Sequence, residues 1–400
     1  MVTPITSDVP TPKDVVSRAR AMIPTLIERA PKQQAHRRIL DETIADLKAA
    51  GFFKILQPKR WGGWELQPRT FFDVQAALAE GDVSVGWVFG ILGVHSFHLA
   101  LFDDKAAEDV WGKDNTALIA SPYSPGKAVP AEGGYRLTGH WRFSSGTEHC
   151  DWIFLGGVVD HGDSHASFLD ADFRTFLLPR SDYLIEDVWD TIGLRGTGSN
   201  DIIVDRAFVP EYRTLSFLDT GRCYGPGQQQ NTAPLYRLPF AMVFSNSVSV
   251  PVVGMATGAY EAYVGWTRER VRASTGGRAA EDPFNQLRIA EAAAGLDGAV
   301  LAIERNITEG LELASAGEKL PMPLRVRARR DQVAATAAAI AAVDRLFESA
   351  GGRALRAGTP IQRFWRDAHA GRVHAINDPE KVRVMYGQFE LGLKVQDAWL

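Results

Sequence analysis

Apolar residues recur with the period of an α-helix through much of the first hundred positions. In two stretches the hydrophobic side chains fall mainly three or four residues apart, which gathers them on one face of a helix. These residues are Ile39, Leu40, Ile44 and Leu47 in the first stretch and Phe71, Phe72, Val74 and Leu78 in the second. The turn-rich run QPKRWGGWELQP separates the two stretches. We therefore expect residues 1–115 to form a helical domain.

From about Thr116 the pattern changes to short β-branched and aromatic runs with glycine, aspartate and proline between them. The runs are GGYRLTGHWRFSSG, DWIFLGGVVD, FRTFLLP and NDIIVDRAFVP. Runs of this length, bounded by turn-forming residues, are typical of β-strands. Residues 116–233 are therefore predicted to form a compact β domain.

Helical character returns after about Pro234 in long alanine-rich segments with few helix breakers. The longest cover residues 283–316 and 324–350, and they are predicted to be bundle helices. The stretch VAATAAAIAAVDRLF is apolar around nearly its whole circumference. Such a helix is buried on most sides, often against another subunit, so we expect oligomerisation. The predicted fold class is mainly α with a central β domain, and residues 234–400 form a C-terminal helical bundle.

Composition narrows the class of protein. The chain has 400 residues, 45% hydrophobic and 23% charged, with a formal net charge of −4, which is typical of a soluble globular protein and leaves no basic surface for nucleic acid. The only two cysteines, Cys150 and Cys223, argue against a disulfide framework and form no CxxC metal pair. The N-terminus lacks the order of a signal peptide, and no apolar run approaches the roughly 18 residues of a membrane span. We expect a cytoplasmic protein with no membrane partner.

Histidines are candidates for chemistry, although each has a simpler interpretation. His95 and His98 lie three residues apart in GVHSFHLALF, and an HxxH pair alone is weak evidence for a metal site. A histidine on an apolar helix is more often a satisfied core residue than a catalyst. His369 and His374 are five residues apart, so on an ideal helix at most one of them should face a given pocket. We predict no metal.

The glycine-rich run GLRGTGSN, residues 193–200, is predicted to be a turn that joins two strands. It lacks both the P-loop ending and the GxGxxG spacing, and it leads into the apolar strand IIV rather than a helix. The sequence contains no GxSxG elbow, HExxH or kinase motif set. Hydrolysis and phosphoryl transfer are therefore disfavoured.

Three aromatic residues and two serines could form one site. Trp87 is followed much later by Trp141 and Phe143, which directly precede Ser144 and Ser145. This mixture is typical of a site for a planar cofactor, although core packing uses the same residue types.

Seven motifs, spread in order over nearly the whole chain, together resemble one family. They are GFFKILQPKRWGGWE, GWVFGILGVHSFHLALF, WRFSSG, DVWDTIGLRGTGSN, EDPFNQLRIAEAA, RARRDQVAAT and IQRFWRDAHAGRVHAINDPE. The sequence resembles the group D flavin-dependent two-component monooxygenases, which have the acyl-CoA dehydrogenase fold. This family includes the oxygenase component of 4-hydroxyphenylacetate hydroxylase and an oxygenase of bacterial steroid catabolism.

The resemblance implies an N-terminal helical domain, a middle β-barrel or sandwich domain and a C-terminal four-helix bundle, assembled as a homotetramer. It also implies that a separate NAD(P)H-dependent flavin reductase supplies reduced FMN or FAD by diffusion, in agreement with the missing dinucleotide fingerprint. The implied reaction uses O2 and a C4a-hydroperoxyflavin to convert a phenol into a catechol by ortho-hydroxylation. The phenol could be a secosteroid, a simpler phenolic acid or a polyketide, and the choice between FMN and FAD stays open.

The resemblance also implies residues that bind the cofactor. These are Trp87, Trp141, Phe143, Ser145, Arg272 and Ser349. Ser145 would lie near the N5 edge of the isoalloxazine and hinder the loss of hydrogen peroxide. Arg272 would contact the phosphate or ribityl group, and Ser349 would reach the phosphate.

On the substrate side, the resemblance implies that His95, Ser121 and Tyr123 face the phenol. His374 would lie beside flavin and substrate, and His369 would support it. Because a phenol reacts best as the phenolate and imidazole titrates near neutral pH, either His95 or His374 could be the base. The implied catalytic residues are His95, His374 and Ser145.

Three alternatives keep the fold but change the activity. An acyl-CoA dehydrogenase needs a glutamate base, and because RDAHAGRVHAIND has none, Glu261 or Glu291 would have to serve. A monooxygenase that oxidises nitrogen or sulfur needs no phenolate base. A non-catalytic ligand-binding protein would fail to bind reduced flavin.

Overall fold

The computed structural model describes residues 9–162, 171–271 and 276–395. Within these residues, helices precede the first strand, as predicted. They are α1 (Pro12–His36), α2 (Asp41–Ala49), α3 (Pro68–Gly81), α4 (Val83–Leu99) and α5 (Asp104–Trp111). Asp82 begins α4 because its side chain accepts a hydrogen bond from the backbone N–H of Ser84.

The middle of the chain forms one mixed β-sheet, which confirms the predicted strands. They are β1 (Ile119–Ala120), β2 (Gly126–Ala131), β3 (Gly134–Ser144), β4 (Trp152–Val159), β5 (Phe173–Pro179), β6 (Leu184–Glu186), β7 (Asn200–Pro210) and β8 (Thr214–Ser216). Across the described part of the sheet the order is β6-β7-β3-β2-β4-β5-β8, and β1 pairs with β4. A short helix, α6 (Phe217–Arg222), follows β8 inside the segment predicted as β.

A bulge distorts the sheet at the end of β3. The register with β7 shifts between Trp141 and Ser144, and Phe143 has a φ of 68°. An extra residue in one strand bends that strand and turns the following side chains in a new direction. Here it redirects the chain just before Ser145.

The C-terminal part is helical, and the two long helices begin and end within two residues of the prediction. The helices are α7 (Phe240–Glu269), α8 (Pro283–Ser315), α9 (Met322–Ala350), α10 (Pro360–Arg372) and α11 (Pro379–Glu390). The apolar stretch predicted to be buried lies in α9, which packs against α7, α8, α10 and α11 of the same chain. Its burial therefore does not require a second subunit.

Helix α7 corrects one expectation. It is long and apolar enough to cross a membrane, although no such run was expected, but 94% of its apolar 18-residue window is buried inside the protein. It packs against α3, α4, α9 and α10. Its composition therefore fits a central helix of the fold, which is buried on every side.

One hydrophobic cluster runs without interruption through the N-terminal helices, the sheet and the C-terminal helices. The boundaries predicted near residues 115 and 233 stay a prediction, because this core crosses both. Both cysteines are free. The candidate site lies where α4, the sheet and α7 meet.

Candidate active site

One face of α4 carries both ends of the predicted site. Ser84, Trp87, Ile91, His95 and His98 are separated by three or four residues, so their side chains project along a single stripe of the helix. Trp87 and His95 are two turns apart, about 12 Å along the axis. The stripe thus connects the expected cofactor end to the expected substrate end.

At the cofactor end, Trp87 begins a chain of hydrogen bonds between hydroxyl groups. Its indole N–H donates to Ser145 Oγ at 3.2 Å, and Ser145 Oγ lies 2.8 Å from Ser199 Oγ. Ser199 Oγ lies 2.7 Å from Thr197 Oγ1, whose hydroxyl contacts the carbonyl oxygen of Leu194 at 2.9 Å. All four side chains are buried. Ser199 and Thr197 were not among the predicted site residues.

Thr197 and Ser199 come from the run GLRGTGSN, which joins β6 to β7 as predicted. Leu194 and Gly198 both have a φ of 52°, and the tight turn between them places the Thr197 hydroxyl beside Ser199, whose own hydroxyl reaches Ser145. Asp367 of α10 holds this turn, since its Oδ1 accepts a hydrogen bond of 2.7 Å from the N–H of Leu194. The sequence shows hydroxyl residues in this predicted turn. It does not show that the turn brings them to Ser145.

The bulge in β3 positions the other residues of WRFSSG. Phe143 is 66% exposed, and its ring meets Trp189 edge to face at 6.2 Å. An exposed aromatic ring on a backbone with positive φ is a strained arrangement of the kind that clusters at functional sites. Ser144 is fully buried, and its hydroxyl has no hydrogen-bond partner among the described residues.

Trp141 serves the core of the sheet. Its indole N–H is shared by two backbone carbonyls, those of Ser124 at 2.8 Å and Gly156 at 2.9 Å. Gly126 and Gly139 leave the space that the ring fills, because a Cβ at either position would collide with it. A flavin contact for Trp141 stays a prediction.

His374 lies beside Trp87, with 5.8 Å between the ring centres. Its Nδ1 accepts a hydrogen bond of 3.2 Å from the N–H of Ile376, so in the neutral ring the proton is on Nε2. Burial, and secondarily the charge of Arg329, lower the pKa of His374 to about 4. His374 is therefore a neutral ring that offers an Nε2–H donor.

His95 has the opposite tautomer. Its Nδ1 lies 2.7 Å from the carbonyl oxygen of Ile119, so Nδ1 carries the proton and donates it to this bond. Burial lowers the pKa of His95 to about 4, against a small opposing effect of the same hydrogen bond. Its Nε2 is buried and has no partner in the described part of the chain. His95 therefore offers a lone pair to a bound ligand.

The surroundings of this lone pair are aromatic. Phe154 meets the His95 ring edge to face at 5.5 Å, Phe244 stacks at 6.5 Å and Tyr123 lies at 6.0 Å. Ser121 is buried next to Tyr123, and its hydroxyl opposes the rise that burial causes in the pKa of Tyr123. The predicted substrate-side residues thus lie together.

His98 is a further buried group at this end. Its Nδ1 lies 2.8 Å from the Tyr123 hydroxyl, and its ring stacks on Phe240 with 3.8 Å between centres. Burial lowers the pKa of His98 well below its usual value. The second histidine of the HxxH pair therefore contacts the Tyr123 hydroxyl and stacks on the Phe240 ring.

The other predicted residues lie elsewhere. Ser349 lies in the last turn of α9, where its hydroxyl donates to Arg345 O at 2.5 Å and its carbonyl oxygen accepts from Arg270 at 3.3 Å. The His369 ring lies tilted against Trp365 with 4.5 Å between ring centres, and its Nδ1 lies 2.8 Å from the Trp365 carbonyl oxygen. Arg272 lies outside the described residues.

The residues at the Trp87 end fit a flavin. An indole and a buried chain of hydroxyls lie together, an exposed aromatic ring precedes Ser145 by two residues, and unpartnered hydroxyls remain at Ser84 and Ser144 in the described residues. A planar, amide-rich ring system needs flat apolar walls and a few polar partners. These residues would hold the isoalloxazine.

Known proteins are similar to this chain over nearly its whole length. A sequence model of the family described as acyl-CoA dehydrogenase, C-terminal domain, matches residues 247–379. The flavin-dependent monooxygenase oxygenase subunit HsaA of Rhodococcus jostii (strain RHA1) is 48% identical over 386 residues, 96% of this chain and 100% of that protein. The oxygenase component of FADH2-dependent resorcinol hydroxylase from Rhizobium sp. (strain MTP-10005) is 34% identical over 393 residues, 95% of this chain and 94% of that protein. The solved structure of 3-HSA hydroxylase from Rhodococcus sp. RHA1 has a TM-score of 0.93 and 47% identity, covering 97% of this chain and 99% of that one.

The fold is therefore that of the acyl-CoA dehydrogenases. The chain belongs to the family of oxygenase subunits of flavin-dependent monooxygenases, which confirms the resemblance carried by the seven motifs. Neither glutamate considered as a dehydrogenase base is buried: Glu261 is exposed, and Glu291 is exposed and paired with Arg345.

Proposed function

We propose that this protein hydroxylates a phenol at the position ortho to its hydroxyl, giving a catechol, with reduced flavin and O2 as co-substrates. The observation that carries the proposal is the buried, unpartnered Nε2 of His95 inside an aromatic pocket. A lone pair in such surroundings has few suitable ligands, and a phenol hydroxyl is one of them, since its ring packs against the aromatic walls while its O–H donates.

Bound reduced FMN or FAD would supply the activation of O2 and the transfer of one oxygen atom. Trp87 and Phe143 would form the walls for its ring system, and Ser145 would be its polar partner at the N5 edge. Contacts from Trp141, Arg272 and Ser349 are further proposals.

His95 is the proposed base. Its Nε2 accepts the phenol hydrogen bond, and a proton that moves to it creates an imidazolium next to a phenolate. The pKa of about 4 describes the ring without a ligand, and a neighbouring anion raises it, because opposite charges stabilise each other in a buried site. Aromatic neighbours exclude water from this pair.

His374 is the proposed donor. Its Nε2–H follows from the Ile376 contact, and its ring is next to Trp87. A neutral donor at this position can hydrogen bond to oxygen as it is transferred without adding a charge to the pocket. Ser121 and Tyr123 complete the substrate side.

The related proteins support the substrate class. One relative is named as a resorcinol hydroxylase that depends on FADH2, and resorcinol is a phenol. The words "oxygenase subunit" and "oxygenase component" in the relatives' names support a separate NAD(P)H-dependent reductase as the source of reduced flavin. We place the protein in the cytoplasm, where its two free cysteines would stay reduced.

A homotetramer is part of the proposal. Its support is the apolar outer surface of α8, where Phe284, Leu287, Val300 and Leu301 are exposed in the single chain. Exposed large apolar side chains that share one helix are typical of a subunit interface. Light scattering coupled to size-exclusion chromatography measures the assembly directly.

The decisive experiment mixes the protein anaerobically with chemically reduced FMN or FAD, then adds labelled 18O2 and a set of phenols that range from resorcinol to a bulky secosteroid phenol. We expect a catechol that carries one labelled oxygen atom. Labelled product from amines or sulfides alone would replace the phenol assignment with nitrogen or sulfur oxidation. Tightly held oxidised FAD that an acyl-CoA bleaches would contradict the proposal.

A further inference from the structure

We propose that Thr197 and Ser199 are positioning residues that set the direction of the Ser145 hydroxyl, and that this direction makes the site prefer reduced over oxidised flavin. The inference rests on the proposed function, in which Ser145 is the polar partner of the flavin N5 edge.

The direction follows from counting hydrogen atoms along the chain. The carbonyl oxygen of Leu194 can only accept, so the Thr197 hydroxyl donates to it at 2.9 Å and must accept from Ser199. Ser199 has then used its only hydrogen, so it accepts from Ser145 at 2.8 Å.

The Ser145 hydroxyl then has one free hydrogen-bonding position. Its hydrogen is directed at Ser199, and one of its two lone pairs receives the indole N–H of Trp87 at 3.2 Å. The remaining lone pair can only accept. A ligand atom beside Ser145 must therefore be a donor.

The opposite direction satisfies one hydrogen bond fewer. If Thr197 donated to Ser199 and Ser199 to Ser145, the Thr197 oxygen would face the Leu194 carbonyl without a hydrogen between them, and Ser145 would become a donor. The Leu194 oxygen also accepts from Trp189 Nε1 at 2.9 Å and from the Thr197 N–H at 3.1 Å. The bias between the two directions is therefore modest, about threefold to tenfold, which corresponds to one net hydrogen bond.

The two oxidation states of flavin differ at this atom. Reduced flavin has a hydrogen on N5 and donates, whereas oxidised flavin has a lone pair there and accepts. The favoured direction of the hydrogen-bond chain leaves an acceptor at Ser145, which matches reduced flavin and opposes oxidised flavin. An oxygenase that receives reduced flavin by diffusion benefits, because spent oxidised flavin then binds more weakly and leaves.

The test measures dissociation constants of oxidised and anaerobically reduced FMN and FAD, by flavin absorbance and protein fluorescence, without turnover. Thr197→Val removes the hydroxyl that anchors the chain, and Ser199→Ala removes the acceptor of the Ser145 hydrogen. In both variants we expect the preference for reduced flavin to fall by about threefold to tenfold. Thr197→Ser restores the hydroxyl and should restore the preference.

Thr175→Val is the matched control. Thr175 is equally buried, but its hydroxyl has no partner among the described residues, and it lies on β5. The same substitution there should leave the ratio of the two dissociation constants unchanged. A ratio that falls equally in this control would overturn the proposal, since a general loosening of the fold would then explain it.

Wild-type protein supplies a second measurement that needs no variant. In 5-deaza-FMN a carbon replaces N5, so neither oxidation state offers a hydrogen-bonding atom there. The preference for the reduced form should be about threefold to tenfold smaller with this analogue. If FMN and FAD bind but the preference survives the analogue and both variants, the positioning role is wrong while the proposed function stands. If reduced FMN and FAD do not bind, the proposed function fails as well.

Discussion

Asp367 allows a prediction whose size and sign follow from the structure. The residue is 3% exposed, and its Oδ1 accepts the 2.7 Å hydrogen bond from Leu194 that holds the turn with Thr197 and Ser199. Burial raises the pKa of this carboxyl from 3.8 to about 7, although the hydrogen bond from Leu194 opposes the rise. The folded protein therefore keeps this carboxyl protonated where the unfolded chain does not.

The sign follows from proton linkage. The stabilisation that Asp367 gives through its raised pKa is complete below pH 3.8 and is lost as the pH rises to about 7. Between pH 5 and pH 8 the folded state must release a proton that the unfolded chain has already lost. Two pH units of this window correspond to about 3 kcal/mol of unfolding free energy.

The perturbation is Asp367→Asn. Asparagine keeps an Oδ1 acceptor for Leu194 but does not ionise, so the variant should lack this loss of stability. We expect the free energy of unfolding of the variant, relative to wild type, to rise by about 3 kcal/mol between pH 5 and pH 8. Urea unfolding followed by tryptophan fluorescence at both pH values measures the difference.

Asp378→Asn is the matched control. Asp378 also accepts from a backbone N–H, that of Glu380 at 3.0 Å, but in an exposed cap at the start of α11. Its substitution should change stability by a similar amount at both pH values. A relative stability of Asp367→Asn that differs by less than about 0.5 kcal/mol between pH 5 and pH 8 would refute the argument, because the carboxyl would then ionise as in water.

Other predictions concern the site and the packing. His95→Asn keeps a side-chain donor for the backbone carbonyl but removes Nε2. Product formation, measured as catechol yield, should therefore fall about 10²–10⁴-fold. Flavin binding, measured by titration, should be retained. His374→Ala should lower hydroxylation more than flavin binding, whereas Ser145→Ala should mainly raise hydrogen peroxide release; equal catechol yields from the two variants would remove both assignments. Gly126→Ala places a methyl group against a buried tryptophan ring and should cost about 1–3 kcal/mol in thermal unfolding. Gly387→Ala in α11, where an added Cβ meets nothing within 4 Å, should stabilise by about 0.5–1 kcal/mol. A loss of stability at both glycines would contradict this reading of the packing.

Local patterns made much of the fold predictable. The alanine-rich segments became α8 and α9, and the β-branched runs became the strands of one sheet. The expectation that no apolar run approaches the length of a membrane span was wrong for α7, because a central helix buried on all sides needs a similarly apolar composition. Period and composition report whether a helix is buried, but they do not report what buries it.

The site was predictable where it follows one helix and unpredictable where it joins distant segments. Trp87 and His95 were predicted from the family resemblance, and their common face on α4 follows from the spacing of the residues between them. The contact of Ser145 with Ser199 depends on the β3 bulge and on the positive φ at Leu194, and neither is encoded by a residue type that demands it. Non-glycine residues adopt positive φ only when their surroundings impose it, so tertiary structure had to supply this information.

The proposed division of roles between the two histidines comes from backbone contacts rather than from the rings themselves. A carbonyl oxygen at Nδ1 makes His95 an acceptor at Nε2, and an N–H at Nδ1 makes His374 a donor at Nε2. This assignment holds only while both rings are neutral, because a protonated imidazole donates from both nitrogens. With pKa values of about 4, only about one ring in a thousand is charged at pH 7, whereas at the ordinary value of 6.5 about a quarter would be. Burial therefore keeps both rings neutral, so that the backbone contacts can hold them in opposite tautomers, and the proposed acceptor for a phenol is present at pH values well above 4.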